Sequence, residues 1–349
     1  MRWTGENRAG STAQLAAQSG QADTRPSAQP DSAPDAEPRP DAQPLIVVLG
    51  PTAVGKTALA IELAQAVEGE IVSADSRQIY AHMDIGTAKP SAHERAAVPH
   101  HLLDVVTPAE TFTLAQYQRA AFRAIGSIHQ RDRVPLLVGG TGQYITAVVE
   151  GWGIPEVPPN AELREKLEAI ARDQGARALH SRLGDVDPEA AQRIDYRNVR
   201  RVIRALEVYH ETGTPISVLQ HKSPPPYRIL QIGLTMPRED LYARIDARID
   251  RMIAAGLLDE VRALLHAGYT WACPAMSGLG YAQWRPFLAG QSSLAETVAA
   301  IRRNTRAFVR RQYTWFNGHD SGIHWLDMSQ VTPAAAVDLA ATWLGHRGE

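Results

Sequence analysis

Short, mostly apolar runs alternate along the chain with longer segments in which apolar residues recur every three or four positions. The short runs lie at residues 45–49, 70–74, 134–138 and 229–234, and they are typical of strands buried on both faces of a parallel sheet. The longer segments predict helices at residues 56–67, 114–130, 239–255 and 257–267, and another after the capping box of Ser293 and Glu296. This alternation predicts an α/β fold with a doubly wound parallel sheet.

Two segments depart from the α/β pattern. Residues 1–44 are rich in Ala, Pro, Gln, Ser and Asp and almost lack branched apolar residues, so we predict a disordered tail. Residues 153–227 have helical patterns between two proline-rich stretches, which predicts a helical insertion domain. Residues 45–152 and 228–349 then form the core, which ends in C-terminal helices.

The composition narrows the class of protein. Of 349 residues, 44% are apolar and 21% are charged, which is typical of a globular chain, and no apolar run is long enough to span a membrane. The single cysteine, Cys273, excludes an internal disulfide framework and a multi-cysteine zinc site. The first residues lack the apolar core of a signal peptide, so we expect a cytoplasmic protein. With a net charge of -2, the chain would need local arginine clusters to bind a nucleic acid.

A glycine-rich loop separates the first predicted strand from the first predicted helix. It consists of Gly50, Pro51, Thr52, Ala53, Val54, Gly55, Lys56 and Thr57 and matches every fixed position of the phosphate-binding pattern G-x-x-x-x-G-K-[ST], the P-loop. In such a loop, backbone N–H groups and the positive end of the helix dipole bind phosphate oxygens. Lys56 adds a mobile positive charge, and the hydroxyl of Thr57 suits Mg²⁺.

Polar residues follow the second and third predicted strands. Asp75 comes directly after residues 70–74, whereas the strand at 134–138 is followed by Gly139, Gly140 and Thr141, without a carboxylate. The carboxyl ends of parallel strands share one edge of a sheet, so we expect Asp75 and Thr141 near the P-loop. Each also has a purely structural interpretation, as a turn or helix-capping residue.

Six motifs follow one another along the chain: GPTAVGKT at residues 50–57, SADSRQIY at 73–80, MDIGTAKP at 83–90, PHHLLD at 99–104, LVGGTG at 137–142 and RALEV at 204–208. Together and in this order, they resemble the motifs of the bacterial tRNA dimethylallyltransferase family. The resemblance extends over residues 45–327. It implies that the P-loop, with Mg²⁺ as cofactor at Thr57, binds dimethylallyl diphosphate. The five-carbon group would then pass to the exocyclic N6 of the tRNA adenosine on the 3′ side of the anticodon.

The resemblance also implies roles for single residues. Asp75 would be the general base, Thr141 would orient the attacking amine, and Arg164 and Arg244 would be cationic clamps on the diphosphate. The adenine has to leave the anticodon loop to reach such a pocket, and the residues expected to contact it are Asp75, Ser76, Arg77 and Gln78. The tRNA contacts expected in the insertion are Arg200, Arg201, Val202, Ile203 and Arg204. We expect the protein to act as a monomer and to bind no membrane.

A second group of arginines lies near the C-terminus. Arg302, Arg306 and Arg310 recur every four positions in a segment without acidic residues, so they form a stripe along one helix face. Such a stripe is either a solvated surface or a contact to RNA phosphates.

Other functions also fit parts of the pattern. A P-loop kinase of small molecules or nucleosides is the main alternative, although it normally has an acid at a neighbouring strand end to hold Mg²⁺. A P-loop protein that binds RNA without catalysis would explain the arginine clusters but not Asp75 and Thr141. Prenyl transfer to free adenylate would not need an arginine-rich insertion.

Overall fold

A parallel β-sheet forms the centre of the computed structural model, which describes residues 42–316 and 321–345. Its described strands are β1 (Gln43–Leu49), β2 (Gly69–Ala74), β3 (His100–His101), β4 (Val134–Gly139), β5 (Tyr227–Thr235) and β6 (Ile323–Asp327). Their order across the sheet is β3-β2-β4-β1-β5-β6, and every described pair is parallel. The α/β fold is confirmed, and the four predicted strands are β1, β2, β4 and β5.

Helices follow most of the strands and fill the segment between β4 and β5. Those before the insertion are α1 (Lys56–Ala66), α2 (Ala92–Ala97), α3 (Leu114–His129) and α4 (Gly142–Val149). Those within it are α5 (Ala161–Asp173), α6 (Ala176–Val186), α7 (Pro188–Arg193), α8 (Val199–Thr212) and α9 (Ile216–Leu219). The rest are α10 (Arg238–Ala254), α11 (Leu257–His266), α12 (Trp284–Leu288), α13 (Leu294–Phe316) and α14 (Pro333–Gly345). Across both described ranges, no helix has the length and apolar character needed to cross a membrane.

The sheet is covered on both faces because alternate strand residues point to opposite sides. Ile46 and Val48 of β1 belong to an apolar cluster with residues of α1, α10 and α11, whereas Leu45, Val47 and Leu49 pack with residues of α3 and α4. All five of these β1 side chains are almost completely buried. An uninterrupted apolar run is therefore what this central strand requires.

The differences from the sequence prediction lie at the edges of the sheet. β3 has only two residues and β6 is a mixed sequence that pairs only with β5 in the described sheet, so neither has the continuous apolar run that marks a central strand. The predicted end of the tail at residue 44 is also wrong, because Gln43 and Pro44 are paired with β5 in the first part of β1. Pro44 accepts a hydrogen bond of 2.8 Å from the His129 ring. The remainder of that prediction, up to residue 41, lies outside the described residues.

The inserted helices have an apolar core of their own. Leu179, Leu183 and Val202 are completely buried in a cluster built from α5, α6, α7, α8 and α9. The two connecting segments run side by side, since Trp152 pairs with Lys222 in an antiparallel bridge and the N–H of Gly153 donates to the carbonyl of His221 at 2.7 Å. The independence of residues 153–227 as a domain stays a prediction.

A buried carboxylate holds the inserted helices together. Glu207 of α8 has no exposed side-chain surface, and its two oxygens accept hydrogen bonds from Arg164 (2.7 and 2.8 Å) and from Arg204 (2.6 Å). It also accepts a hydrogen bond from the backbone N–H of Asn160 at the start of α5. Burial by itself would raise the pKa of Glu207, but the hydrogen bonds from both arginines and from Asn160 lower it to about 2.

Replacement of Glu207 by alanine should destabilise the protein by about 3 kcal/mol, because it leaves two guanidinium groups without their shared partner. Urea unfolding measures this loss.

The contribution of Glu207 to stability should depend on pH. Since the pKa of Glu207 is lower in the folded chain than the ordinary value of about 4.3, this contribution exists above that pH and should disappear as the pH falls towards about 2. Glu162→Ala removes an exposed pair with Lys166 and should cost about 0.5 kcal/mol or less. Equal losses of unfolding free energy in the Glu207→Ala and Glu162→Ala variants would contradict the stabilising role of Glu207.

Candidate active site

The P-loop joins β1 to α1 at the carboxyl edge of the sheet. Gly50 leaves β1 with a φ of 144°, and a Cβ atom there would lie 2.5 Å from the carbonyl oxygen of Leu234. Gly55 caps the start of α1 with a φ of 114°. Both values lie in the region that only glycine adopts without strain. Within the loop, Nζ of Lys56 donates to the carbonyl oxygens of Gly50 (3.0 Å) and Pro51 (2.7 Å).

Asp75 and Thr141 leave neighbouring strands, β2 and β4, and lie close together as predicted. The Thr141 hydroxyl accepts a hydrogen bond of 3.0 Å from the N–H of Ser76, the residue after Asp75, and makes no capping bond to α4. One carboxylate oxygen of Asp75 accepts from the N–H of Arg77 at 2.8 Å. The other oxygen has no hydrogen-bond partner among residues 42–316 and 321–345. A turn therefore fixes the Asp75 side chain and leaves one oxygen available.

Two adjoining cavities meet at Asp75. The P-loop cavity, about 620 Å³, is lined by the P-loop, by cations of α10 and by Gln78. The Thr141 cavity, about 430 Å³, is lined by Thr141, Ser76, Arg77 and apolar residues such as Ile249 and Phe308. The lining residues common to both are Thr52, Ala53, Asp75, Thr87 and Arg248. A ligand in one cavity can thus contact a ligand in the other beside the Asp75 carboxylate.

Helix α10 brings several arginines to the P-loop cavity. Arg244, predicted as a phosphate clamp, lines it and donates to the carbonyl of Val54 at 3.3 Å. Arg248 and Arg251 line the same cavity, and Arg248 donates to the Thr52 hydroxyl at 3.3 Å. Neither Arg248 nor Arg251 was predicted from the sequence. Their spacing of four and seven positions from Arg244, which places them on one helix face, is the signal that identifies them.

The cations at the P-loop affect one another. Burial lowers the pKa of Lys56 to about 7; the neighbouring Asp75 opposes this change and Arg248 adds to it. Burial also lowers the pKa of Arg248, although Asp75 again opposes it. Positive charge concentrated in a partly desolvated cavity favours a multiply charged anion such as a phosphate group.

A loop between β2 and α2 forms the wall shared by both cavities. Thr87 lines both, and the backbone before it is held by Glu260 of α11. The groups that donate hydrogen bonds to the Glu260 carboxylate are the N–H groups of Asp84, Ile85 and Gly86 and the Tyr281 hydroxyl, at 2.6 to 3.1 Å. This carboxylate therefore fixes the position of the wall, a role that nothing in the local sequence indicates.

The structure places Arg164 away from the P-loop. It lines a separate cavity of about 950 Å³, between the inserted helices and α3, with Arg119, Arg193, Arg204 and Lys222. Along one edge, its guanidinium donates two parallel hydrogen bonds, from Nε and from one Nη, to the two carboxylate oxygens of Glu207. Arg164 lines neither the P-loop cavity nor the Thr141 cavity, so the structure does not bring it to the P-loop as the predicted role of a diphosphate clamp requires.

The predicted RNA-contact residues of α8 divide into three groups. Val202 and Ile203 are buried in the apolar cluster of the insertion, so the prediction that they contact tRNA is wrong for their side chains. Arg204 is used internally, since it donates to Glu207 and to the carbonyls of Pro155 and Val157. Arg200 and Arg201 are exposed.

The residues expected to contact the adenine line two different cavities. Ser76 and Arg77 line the Thr141 cavity, where Arg77 donates to the carbonyl of Pro274 at 3.3 Å. Gln78 instead lines the P-loop cavity, and its amide bonds to Ser73 and to the carbonyl of Ala88. The structure therefore does not bring Gln78 to the cavity that contains the other two.

The arginine stripe of α13 is largely paired. Arg302 forms an ion pair with Asp250, and Arg306 forms one with Asp246, both on α10. These pairs hold α13 against α10, so Arg302 and Arg306 are not the free phosphate contacts that the stripe suggested. Arg310 is exposed.

The donor set of the P-loop cavity fits a magnesium ion. Mg²⁺ commonly binds one or two protein oxygens and completes its coordination with phosphate oxygens and water. The hydroxyl of Thr57 and the carboxylate of Asp75 line the same cavity. No cluster of three His, Cys, Asp or Glu side chains in the described segments could hold a metal ion by itself.

Comparison with known proteins identifies the family. The model of the IPP transferase family matches residues 78–319. A tRNA dimethylallyltransferase of Chloroflexus aggregans is 59% identical over 272 residues, which cover 78% of this chain and 92% of that protein.

Solved structures agree. A tRNA isopentenylpyrophosphate transferase of Bacillus halodurans has a TM-score of 0.65 and 39% identity, covering 87% of this chain and 96% of its own. A eukaryotic dimethylallyltransferase that acts on tRNA has a TM-score of 0.77 and 26% identity, covering 88% of this chain and 81% of its own. On the extent of the family match and the level of these identities, the chain belongs to the IPP transferase family.

Proposed function

We propose that this protein transfers the dimethylallyl group of dimethylallyl diphosphate to the exocyclic N6 of the tRNA adenosine on the 3′ side of the anticodon. The observation that carries the proposal is the position of Asp75 where the cationic P-loop cavity meets the Thr141 cavity. The diphosphate occupies the first cavity and the adenine the second. The transferred carbon then lies between them, beside the carboxylate.

The P-loop side stabilises the leaving group. Cleavage of the allylic C–O bond leaves positive charge on carbon and moves negative charge onto the diphosphate. The N–H groups of the loop, Lys56, Arg244 and Arg248 are arranged around the site where that negative charge grows, in a partly desolvated cavity. Thr57 and the diphosphate together would hold Mg²⁺, which adds further positive charge to the leaving group.

Asp75 and Thr141 act on the N6 amine of the adenine. As the bond between N6 and the allylic carbon forms, the amine acquires positive charge and loses a proton, which the free oxygen of Asp75 accepts. This modest base is sufficient because the N6 proton becomes strongly acidic only while the bond forms. Thr141 is fixed by Ser76 at the same position and orients the amine. The products are the alkylated base and diphosphate.

Recognition of the tRNA uses exposed positive charge. Arg200 and Arg201 are exposed on the insertion, at the start of α8, and suit contact with the RNA backbone. A flipped adenine would enter the Thr141 cavity, where apolar residues and Arg77 line the walls. Action as a monomer in the cytoplasm stays a prediction.

The kinase alternative is disfavoured by two observations. The family is one of IPP transferases, and the end of β4 is Gly139 followed by Gly140 and Thr141, where a kinase of this fold needs an acid for Mg²⁺.

The proposal is tested with labelled dimethylallyl diphosphate, Mg²⁺ and an anticodon stem-loop that carries the unmodified adenosine. Label should enter the stem-loop, and no label should enter one with guanosine at that position. Asp75→Asn should lower kcat by about 10²- to 10⁴-fold, because it removes the base and keeps the shape. The exposed control Asp259→Asn should be unaffected. Phosphoryl transfer from labelled ATP without prenyl transfer would exclude the proposal.

Binding of diphosphate should change the protonation of Lys56. With a pKa of about 7, Lys56 is mostly neutral at pH 8, and the incoming anion raises its pKa. Titration calorimetry in two buffers of different ionisation enthalpy should therefore show uptake of about one proton at pH 8 and much less uptake near pH 6. Lys56→Arg stays charged and should abolish this uptake. Identical proton uptake in the parent and the Arg variant would refute the assignment.

Neutralisation of Arg200 and Arg201 together should reduce the salt dependence of stem-loop binding. For the double Gln variant, the slope of log K against log salt concentration should become shallower by about 1.5, because two phosphate contacts are lost. Arg133→Gln serves as the control and should leave the slope unchanged. Arg133 pairs with Glu68 at the amino end of β4, whereas the active site lies at the carboxyl ends of the strands. If the double variant keeps the parental slope, Arg200 and Arg201 do not contact the phosphates of the stem-loop.

A further inference from the structure

A buried glutamine connects the two loops on which the reaction depends. Gln312 of α13 is only 5% exposed. Its side-chain carbonyl oxygen accepts a hydrogen bond of 3.0 Å from the backbone N–H of Thr52, and its side-chain NH₂ group donates one of 2.9 Å to the carbonyl of Gly140. The amide thus bonds to the P-loop on one side and to the loop after β4 on the other.

Each of these loops serves a different substrate in the proposed reaction. Thr52 lies in the P-loop, at the boundary of the two cavities. Gly140 directly precedes Thr141, whose hydroxyl holds the backbone next to Asp75. The distance between these two loops therefore sets the distance between the diphosphate and the amine.

The amide also fills the space between the loops. A Cβ atom on Gly140 would lie 2.4 Å from the side-chain nitrogen of Gln312 and 3.5 Å from Nζ of Lys56. Gly140 thus allows the β4 loop, the glutamine and the P-loop lysine to pack in contact. A buried amide with both of its functional ends bonded has one preferred orientation.

The helix that carries Gln312 is itself well anchored. Arg302 and Arg306 pair with Asp250 and Asp246 of α10, the helix that brings Arg244 and Arg248 to the P-loop cavity. Near its end, the indole N–H of Trp315 donates to the Thr146 hydroxyl on α4, at 3.1 Å. Helix α13 therefore presents the amide from a support that contacts both sides of the site.

We propose that Gln312 is a positioning residue that sets the alignment of the prenyl carbon with the attacking amine, an inference that rests on the proposed function. Its polar atoms contact backbone groups of the protein, so it acts through the two loops. Each substrate has its own binding groups, and these remain without the amide. Without the amide, the alignment of the two substrates with each other is lost. A displacement of about 1 Å between reacting groups costs about 10²-fold in rate.

The test compares Gln312→Met with the parent protein. Methionine has a similar volume and forms neither hydrogen bond. We expect kcat for stem-loop prenylation to fall by about 10- to 100-fold. The dissociation constants of inorganic diphosphate, measured by calorimetry, and of the stem-loop should stay within about threefold of the parental values. This separation of kcat from binding distinguishes a positioning role from a general loss of structure.

A matched control comes from a second buried glutamine. Gln118 of α3 is 9% exposed and donates to the carbonyls of Ala147 and Trp152, away from both loops. Gln118→Met should lower the melting temperature and leave kcat unchanged at temperatures well below it. If both variants lower the melting temperature equally and neither changes kcat, Gln312 has a structural role and the inference is wrong.

Gln312→Glu gives a second measurement if the methionine variant does not fold. A deprotonated glutamate still accepts from Thr52 but repels the carbonyl of Gly140, whereas a protonated one can accept and donate as glutamine does. The kcat of this variant at pH 8, where a carboxyl group with its ordinary pKa is ionised, should therefore be lower than the parental kcat. A kcat equal to the parental value at pH 8 would overturn the inference alone. A parent protein that fails to prenylate the stem-loop would overturn the proposed function and the inference with it.

Discussion

The site exists because β1, β4 and β2 pair in parallel. This pairing makes three strands end at one edge, so that the P-loop, Asp75 and Thr141 leave the sheet side by side although they are far apart in the chain. Gly139 makes the close approach of β4 and β2 possible, because a Cβ atom there would lie 2.1 Å from the carbonyl oxygen of Ala74. The chemistry of the site follows from this shared edge, since the anion-binding loop and the carboxylate meet there.

Helix α10 organises the charges around that edge. One of its faces brings Arg244 and Arg248 to the P-loop cavity, and another presents Asp246 and Asp250 to the arginines of α13. Positive charge thus accumulates where an anion binds and is neutralised by ion pairs where the two helices pack. Ion pairing also supports packing in the insertion, where the buried carboxylate of Glu207 pairs with the guanidinium groups of Arg164 and Arg204. In the described segments, arginine therefore serves helix packing as well as the lining of the P-loop cavity.

The errors in the sequence prediction have a common origin. Arg164, Arg302 and Arg306 appeared to be free cations because the sequence does not show which carboxylate lies opposite each of them. Val202 and Ile203 were grouped with exposed arginines by their position in a motif, although a helix turns neighbouring residues to different sides. The edge strands β3 and β6 were missed because short or mixed strands lack the apolar run of a buried one.

The α/β class, the four central strands, the P-loop and the placement of Asp75 and Thr141 at strand ends could all be predicted from the sequence. These features depend on local patterns: apolar runs, glycines with particular backbone angles, and the order of strands and helices. The three-dimensional fold was needed to show which arginines face a cavity, which glutamic acids hold a wall or a helix pair, and that Gln312 joins Thr52 to Gly140. Those contacts join residues up to 260 positions apart, and their partners are chosen by packing in three dimensions, which leaves no local mark on the chain.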